Sequence, residues 1–263
     1  MSNTTYVVED MKEQPSRRPI LPPFLRVWRE PDRYLTQALH AHGYTGFRYE
    51  GRKSSGGGAV VYHLRGEYED MHLVLKTPHP STNMQDFTLE GEVQRRAYLA
   101  GTKTPEIVAS HELFGRPILL MEERGTTLSC ARSVHYTPKR IAEIGYALTA
   151  QVEILHTAAM YPGETNPGML HNDLKPRNIL VDKDDIVLID FAAASPLSAR
   201  QDRMLTVQYT APERLTSELS IDGRADVFSI GVVLYQLATG RQPYPVPENS
   251  IPAHRKIAHF SCV

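Results

Sequence analysis

The chain has 263 residues, a formal net charge of -1 from 29 Lys and Arg against 30 Asp and Glu, and two cysteines, Cys130 and Cys262. The balanced charge leaves no electrostatic footprint for nucleic acid or an anionic membrane, and two cysteines build neither a disulfide framework nor a zinc spacing. At 41% hydrophobic and 22% charged residues, with no signal-peptide core and no run that spans a bilayer, the expectation is a soluble intracellular protein, cytoplasmic or nuclear, of one two-lobed domain or two small ones.

Residues 1–23 are polar and punctuated by Pro15, Pro19, Pro22 and Pro23, so little structure is expected there. Residues 24–45 read as a helical extension: in "EPDRYLTQALHAHGY" Pro31 suits a first turn, and Tyr34, Leu35 and Leu39 form an apolar stripe. Four strand-like segments follow, "GFRYEGR", "AVVYHLRG", "MHLVLKTP" and "RPILLMEE", with turn residues between them. Between the third and fourth, "MQDFTLEGEVQRRAYLAG" reads as a helix ended by Gly101. From Thr137 the pattern changes, with Ile141, Ile144, Leu148, Val152 and Leu155 at helical spacing. "ADVFSIGVVLYQLATG" is apolar on nearly all sides and reads as a buried helix. Strands with one helix, then mostly helices, predict an α+β fold in two lobes.

Between the last two helices lies "MLHNDLKPRNILVDKDDIVLIDFAAAS", with His171, Asp173, Lys175 and Asn178 on one short loop and Asp190 closing an apolar strand. Polar groups next to buried strands cost free energy unless they satisfy one another or serve a charged ligand. A loop capped by its own Asp and Asn explains any one of them, but not the whole set in register. The stretch resembles the catalytic core of eukaryotic protein kinases, whose pattern is His-Arg-Asp-Leu-Lys-Pro-x-Asn, then Asp-Phe-Gly. "TVQYTAPERL" matches the family's Thr-x-x-Tyr-x-Ala-Pro-Glu through Thr206, Tyr209, Ala211, Pro212 and Glu213. "DVFSIGVVLYQLATG" looks like the central buried helix, with Asp226 available to bond backbone amides of the catalytic loop. The resemblance implies a bilobal protein kinase-like fold over residues 46–263, with a β-rich small lobe (46–124) and a mainly helical large lobe (125–263). It also implies that Asp173 accepts the substrate hydroxyl proton, Lys175 neutralises charge on the transferring phosphoryl, and Asn178 and Asp190 hold Mg2+. His171 and Phe191 would pack inside the large lobe.

On the nucleotide side, "HLVLK" looks like the family's Val-Ala-Ile-Lys strand and puts the phosphate cation at Lys76. Its clamp is a glutamate on the following helix, Glu90 or Glu92. Glu92 places Leu99 one face-turn along but leaves Arg96 where an apolar residue is usual, whereas Glu90 shares a face with Val93 and Ala97. Glu92 is slightly preferred, and the choice stays open. The glycine-rich loop appears as "SSGGGAVV": anchored on Val61, its glycine positions become Ser54, Gly56 and Ala59. Gly57 and Gly58 are displaced glycines that still allow close backbone approach to phosphate, though a triple glycine is also a plain hairpin turn. "RPILLMEERGTTLS" resembles the last small-lobe strand and the hinge. Met121 would sit at the back of the adenine pocket, Glu122 and Glu123 would offer backbone groups to adenine, and Val61, Val74 and Leu180 would sandwich the ring. The implied cofactors are ATP and Mg2+.

Four departures bear on function. Asn172 replaces the arginine that many kinases use to bind an activation-loop phosphate, which questions activation through Ser195, Ser198 or Thr206. Ala192 replaces the glycine after Asp190-Phe191. "HTAAMYPGETNPGMLH" lengthens the connection before the catalytic loop, as a surface insertion would. The large lobe is expected to be short after the central helix, lacking the family's C-terminal helices and the arginine that pairs with Glu213. Glu213 would then be exposed, protonated or paired with Arg214 or Arg224, and an apolar patch would be exposed on the lobe. The implied function is an ATP- and magnesium-dependent serine/threonine protein kinase acting on protein hydroxyls. The alternative is a pseudokinase scaffold that binds a partner protein with weak or no catalysis. A small-molecule phosphotransferase of the aminoglycoside or choline kinase type is disfavoured, because those enzymes lack the "TVQYTAPE" segment.

Overall fold

Strict alternation sorts the first half of the chain into the two faces of one sheet. The computed structural model describes residues 31–55, 58–66, 72–113, 115–128, 136–158, 168–197, 206–214 and 221–244. Strands β1 (Phe47–Ser55), β2 (Ala59–Gly66), β3 (His72–Pro78), β4 (Ile107–Leu113) and β5 (Arg116–Glu122) form a sheet in the order β1-β2-β3-β5-β4, with antiparallel neighbours throughout. Side chains alternate between faces along a strand. Tyr62, Leu64, Leu73, Leu75 and Leu120 therefore share one face, where they pack against Leu35 and Leu39 of helix α1 (Pro31–Ala41). Ala59, Val74, Leu119 and Met121 share the other, against Phe87 of helix α2 (Met84–Leu99).

β4 is absent from the sequence reading. It is an edge strand whose residues alternate between half-buried and exposed, and Ser110, His111 and Glu112 dilute its apolar pattern. α2 starts where the Asn83 side chain accepts the Gln85 N–H (2.8 Å). It ends at Ala100, followed by Gly101 in the left-handed region (φ +98°), whose N–H donates to the Tyr98 carbonyl. Gly91 lets α2 lie close to β5, since a Cβ there would come within 2.8 Å of the Leu119 side chain.

The second lobe is built on α3 (Pro138–Thr157) and α4 (Arg224–Thr239). Thr137 caps α3 through its hydroxyl, with Pro138 in the first turn. Leu148, Val152, Leu155, Leu174, Ile230 and Val233 belong to the lobe's core. The short strands β6 (Thr126–Thr127), β7 (Met169–Leu170), β8 (Ile179–Asp182), β9 (Asp185–Leu188) and β10 (Ser195–Pro196) carry the loops that face the first lobe. Several contacts among the described residues hold the lobes in register, including the Lys103 N–H donated to Gln151 Oε1 (2.6 Å). Arg124 Nε donates to Asp182 Oδ2 (2.5 Å), Lys103 pairs with Asp185, and the Leu188 N–H donates to the Lys103 carbonyl (2.9 Å).

On the outer side of α4, Val227 and Tyr235 are 56% and 45% exposed, with exposed Gly231 between them. Tyr244, 58% exposed, stacks on Phe228 (ring centroids 6.0 Å apart). The described residues thus carry an apolar stripe on this lobe. Glu213 is only half-buried, and its charge acts on both Arg214 and Arg224, so no isolated buried carboxylate arises. Residues 1–23, Gly56, Gly57, Ser198, most of the connection before the catalytic loop and the segment after Tyr244 lie outside the described residues. Among the described residues, no helix is long and apolar enough to cross a membrane.

Candidate active site

The catalytic loop follows β7 and is fastened from below by one carboxylate. Asp226, in the first turn of α4 and fully buried, accepts the N–H of His171 (2.8 Å) and of Asn172 (2.9 Å) and pairs with His156 Nε2 (2.9 Å). Burial alone would raise its pKa. The His156 hydrogen bond, the electrostatic pull of the His171 and His156 rings and the His171 amide outweigh burial and hold it below the usual carboxylate range. His171 and Phe191 are both buried, with ring centroids 5.0 Å apart. His171 donates through Nε2 to the Ile189 carbonyl (3.2 Å), while its Nδ1 accepts the Asp173 N–H (3.4 Å).

Above this floor the charged residues converge. Asp173 Oδ2 accepts from Lys175 Nζ (2.5 Å) and from Asn178 Nδ2 (3.0 Å). Asp173 Oδ1 accepts from the Thr206 hydroxyl (2.7 Å), whose oxygen in turn accepts from Lys175 Nζ (3.2 Å). The sequence reading named Thr206 as part of a motif and among the hydroxyls of the activation segment, not as a partner of Asp173, from which 33 residues separate it. A short Thr-x-x-Tyr match could not announce that contact.

Asn172, where the family has arginine, sits buried in the left-handed region (φ +67°). Its Nδ2 donates to the Ala193 carbonyl (3.1 Å) and to Ser195 Oγ (3.0 Å), and its carbonyl accepts from Arg214 (2.7 Å). A neutral amide thus joins the catalytic loop to the segment after Asp190. Arg214 and His156 are further supports that sequence reasoning did not single out for these roles.

The opposite wall belongs to β3 and α2. Lys76 forms an ion pair with Glu90, and its Nζ lies 3.3 Å from Asp190 Oδ1. Glu90 is 5% exposed. The preference for Glu92 is overturned. Glu92 is exposed and pairs with Arg96 one turn along the same helix. The rotation of α2 that buries Phe87, Val93 and Ala97 necessarily turns Glu90 inward and Glu92 out. Burial works to lower the Lys76 pKa, and the carboxylates of Glu90 and Asp190 more than reverse it. Asp190 is held low by Lys76 first, with Lys175 and His171 adding to the effect. Asp190 occupies the left-handed region (φ +68°), which aims its carboxylate into the cleft while Phe191 turns into the core. Ala192 is accommodated exposed, in a single 3₁₀ turn over Phe191–Ala193.

Val61 lies opposite Lys76 in the β2–β3 register, and Val74 lies opposite Met121 in the β3–β5 register. Val61 packs against the cluster containing Val74 and Met121, while Leu180 is buried on β8 of the other lobe. The N–H groups of Glu122 and Glu123 donate to the carbonyls of Glu106 and His72 (3.1 Å each), so both amides are engaged within the small lobe. Ser54 is exposed near the end of β1. The Gly58 carbonyl accepts from the His79 N–H (2.9 Å) and the Thr82 hydroxyl (2.6 Å). For a divalent cation the donor set fits Mg2+. The Asn178 amide nitrogen is turned to Asp173, leaving its oxygen, and Asp190 supplies a carboxylate that is 39% exposed, so both donors are hard oxygens.

Comparison with known proteins agrees with this geometry. The family model described as "Protein kinase domain" matches residues 53–262. Serine/threonine-protein kinase PknH of Mycobacterium bovis is 30% identical over 173 residues, covering 61% of this chain and 27% of that protein. PknJ of the same organism is 27% identical over 217 residues, 76% of this chain and 35% of that protein. Serine/threonine-protein kinase A of Synechocystis sp. is 29% identical over 130 residues, 44% of this chain and 24% of that protein. The matched stretches thus span about a quarter to a third of these relatives' lengths. A bilobal α+β fold, with a lysine–glutamate pair on one wall and an Asp-Lys-Asn cluster on the other, defines a class of phosphotransferase. This chain belongs to the protein kinase family.

Proposed function

We propose that this chain transfers the γ-phosphate of ATP, bound with Mg2+, to serine or threonine hydroxyls of a protein. The observation that carries this reading is the Thr206 hydroxyl on Asp173, shared with Lys175. It ties the segment expected to receive substrate directly to the carboxylate expected to receive the hydroxyl proton. Phosphoryl transfer asks for positioning and charge neutralisation more than covalent chemistry. Asp173 orients the incoming hydroxyl and takes its proton as the new oxygen–phosphorus bond forms and the bond between the γ-phosphorus and the β–γ bridging oxygen breaks, with ADP as the leaving group. Lys175 offsets charge on the transferring group. Lys76, braced by Glu90, holds the remaining phosphates, and Asn178 and Asp190 hold the magnesium. Mg2+, when bound, neutralises phosphate charge. Val61, Val74, Met121 and Leu180 supply apolar surface for adenine, and Ser54 and Gly58 lie at the strand ends expected to approach the phosphates through their backbone. With both hinge amides engaged, the carbonyl groups at Glu122 and Glu123 are the backbone groups offered to the base.

The test is phosphate transfer from Mg-ATP to a protein substrate by the purified chain, beside Asp173→Ala and Lys76→Ala. Transfer by the parent and its loss in both variants is the expected result. ATP binding without transfer by the parent leaves the scaffold reading, and transfer to sugars or amines leaves the small-molecule reading.

A further inference from the structure

The segment that follows Asp190 returns to the catalytic loop and is tied there by uncharged groups. Strand β10 pairs with β7, Ser195 lying opposite Leu170, and the Leu197 N–H donates to the Gly168 carbonyl (3.0 Å). The Asn172 side chain joins the two stretches. Its Nδ2 donates to the Ala193 carbonyl (3.1 Å) and to Ser195 Oγ (3.0 Å), and both Asn172 and Ser195 are buried. The loop is itself fixed at this residue: the Asn172 N–H donates to Asp226, and the Asn172 carbonyl accepts from Arg214. Its left-handed backbone (φ +67°), which Asn adopts more readily than most residues, serves all these contacts at once.

An amide nitrogen has two hydrogens. Both are spent here, on Ala193 and Ser195, so the Asn172 side chain keeps no donor for a phosphate. The Ala193 carbonyl also fixes which way the amide faces, because the reverse orientation would set two acceptor oxygens against each other. Asn172 Oδ1 is buried with no hydrogen-bond partner among the described residues, and the lone pairs it presents repel an anion. An arginine in this buried place would need an anion to balance it. The amide needs only a carbonyl and a hydroxyl that the folded chain already supplies.

We propose that Asn172 is a positioning residue that latches the segment after Asp190 onto the catalytic loop, so that the loop takes its working arrangement without a phosphate on the segment. The latch reaches the 3₁₀ turn over Phe191–Ala193, which directly follows Asp190, so the bond that holds Ala193 also steadies the carboxylate expected to hold magnesium. Its catalytic consequence rests on the phosphotransfer reading above, and the latch itself does not.

The test uses the full chain, treated with phosphatase and shown by mass spectrometry to carry no phosphate, with Mg-ATP and casein as the acceptor. Product is expected to form linearly from mixing, at a rate within about twofold of the untreated chain. A lag, or a rise of about tenfold or more once the segment is phosphorylated, overturns the proposal. Asn172→Gly keeps the backbone conformation and removes the amide. Its kcat should fall about tenfold with the KM for ATP within about twofold, because Lys76 and Glu90 are untouched. Ser195→Ala, which leaves the Ala193 bond, should lower kcat about threefold, and the double variant should fall no further than Asn172→Gly. Effects that multiply instead overturn the latch. Hydrogen exchange on the nucleotide-free chain needs no activity: the Ala194 and Leu197 amides should exchange about tenfold faster in Asn172→Gly, and unchanged exchange overturns the proposal. Circular dichroism checks folding, and Ser195→Ala carries both measurements if Asn172→Gly unfolds. A chain that shows the exchange change but transfers nothing keeps the latch and loses the phosphotransfer reading.

Discussion

Glu90 and Glu92 differ by two positions on one helix, and their environments predict opposite outcomes. Glu90 is buried against Lys76, so Glu90→Gln should lower kcat/KM for ATP strongly, and Lys76→Ala should lower it by about a hundredfold or more, as loss of one charge-stabilising donor does. Glu92→Gln breaks only a surface pair with Arg96, worth about 0.3–0.5 kcal/mol, and should leave kcat/KM within about twofold. Thr206→Val removes the hydroxyl that bridges Asp173 and Lys175, and steady-state kinetics should show a fall in kcat with little change in the KM for ATP. Asp226 supplies a pH signature. Its folded pKa lies below the unfolded value of about 3.9, so its stabilising contribution is complete above that value. That contribution is lost as pH falls through the lower, folded value. Urea melts from about pH 6 down to pH 2 should show this acid loss in the parent and a flatter limb in Asp226→Asn, which should also cost about 3 kcal/mol at neutral pH. At this scale the motif residues were legible in the sequence, because phosphoryl chemistry restricts their types and spacing. The loss of arginine at Asn172 was legible too, but not that its amide would reach Ala193 and Ser195. That contact depends on a left-handed backbone and a chain returning from more than 20 positions away.

Helices α1 and α2 cover opposite faces of the sheet and hold it by different means. α1 depends on two buried leucines, and its stripe was readable from periodicity alone. Leu35→Ala, at a fully buried site, should destabilise the chain by about 2–5 kcal/mol in thermal or urea melts. α2 depends on close approach at Gly91, where an added Cβ meets Leu119. Gly91→Val should cost about 1–3 kcal/mol from overpacking and, by displacing α2, should raise the KM for ATP through the neighbouring Glu90. Edge strand β4 escaped the sequence reading because a half-buried edge needs no strong apolar alternation. The two candidate clamps remained open for a related reason: helical periodicity gives relative angles around α2, and the sheet decides which angle faces inward.

The two lobes meet around the cleft through Arg124 with Asp182 and Lys103 with Asp185, while the far side of α4 displays Val227, Gly231 and Tyr235. Since Val227 and Tyr235 are exposed, the double variant Val227→Ser/Tyr235→Ser should shift the unfolding free energy by no more than about 0.5 kcal/mol per site, whereas serine at buried Val233 should be severely destabilising. Chemical denaturation of the two variants separates these outcomes. What the sequence by itself determined is the identity of the parts: an apolar strand ending in Lys76, a loop carrying Asp173, Lys175 and Asn178, Asp190 before an aromatic, and a buried helix with Asp226 at its start. These are local patterns, set by backbone period and by the few residue types that neutralise phosphate charge. The tertiary structure decided which parts meet: Glu90 rather than Glu92 on Lys76, Thr206 on Asp173, and Asn172 on Ser195. Such meetings depend on helix rotation, strand register and loop closure over tens of residues, and those are fixed only when the two lobes bury their cores.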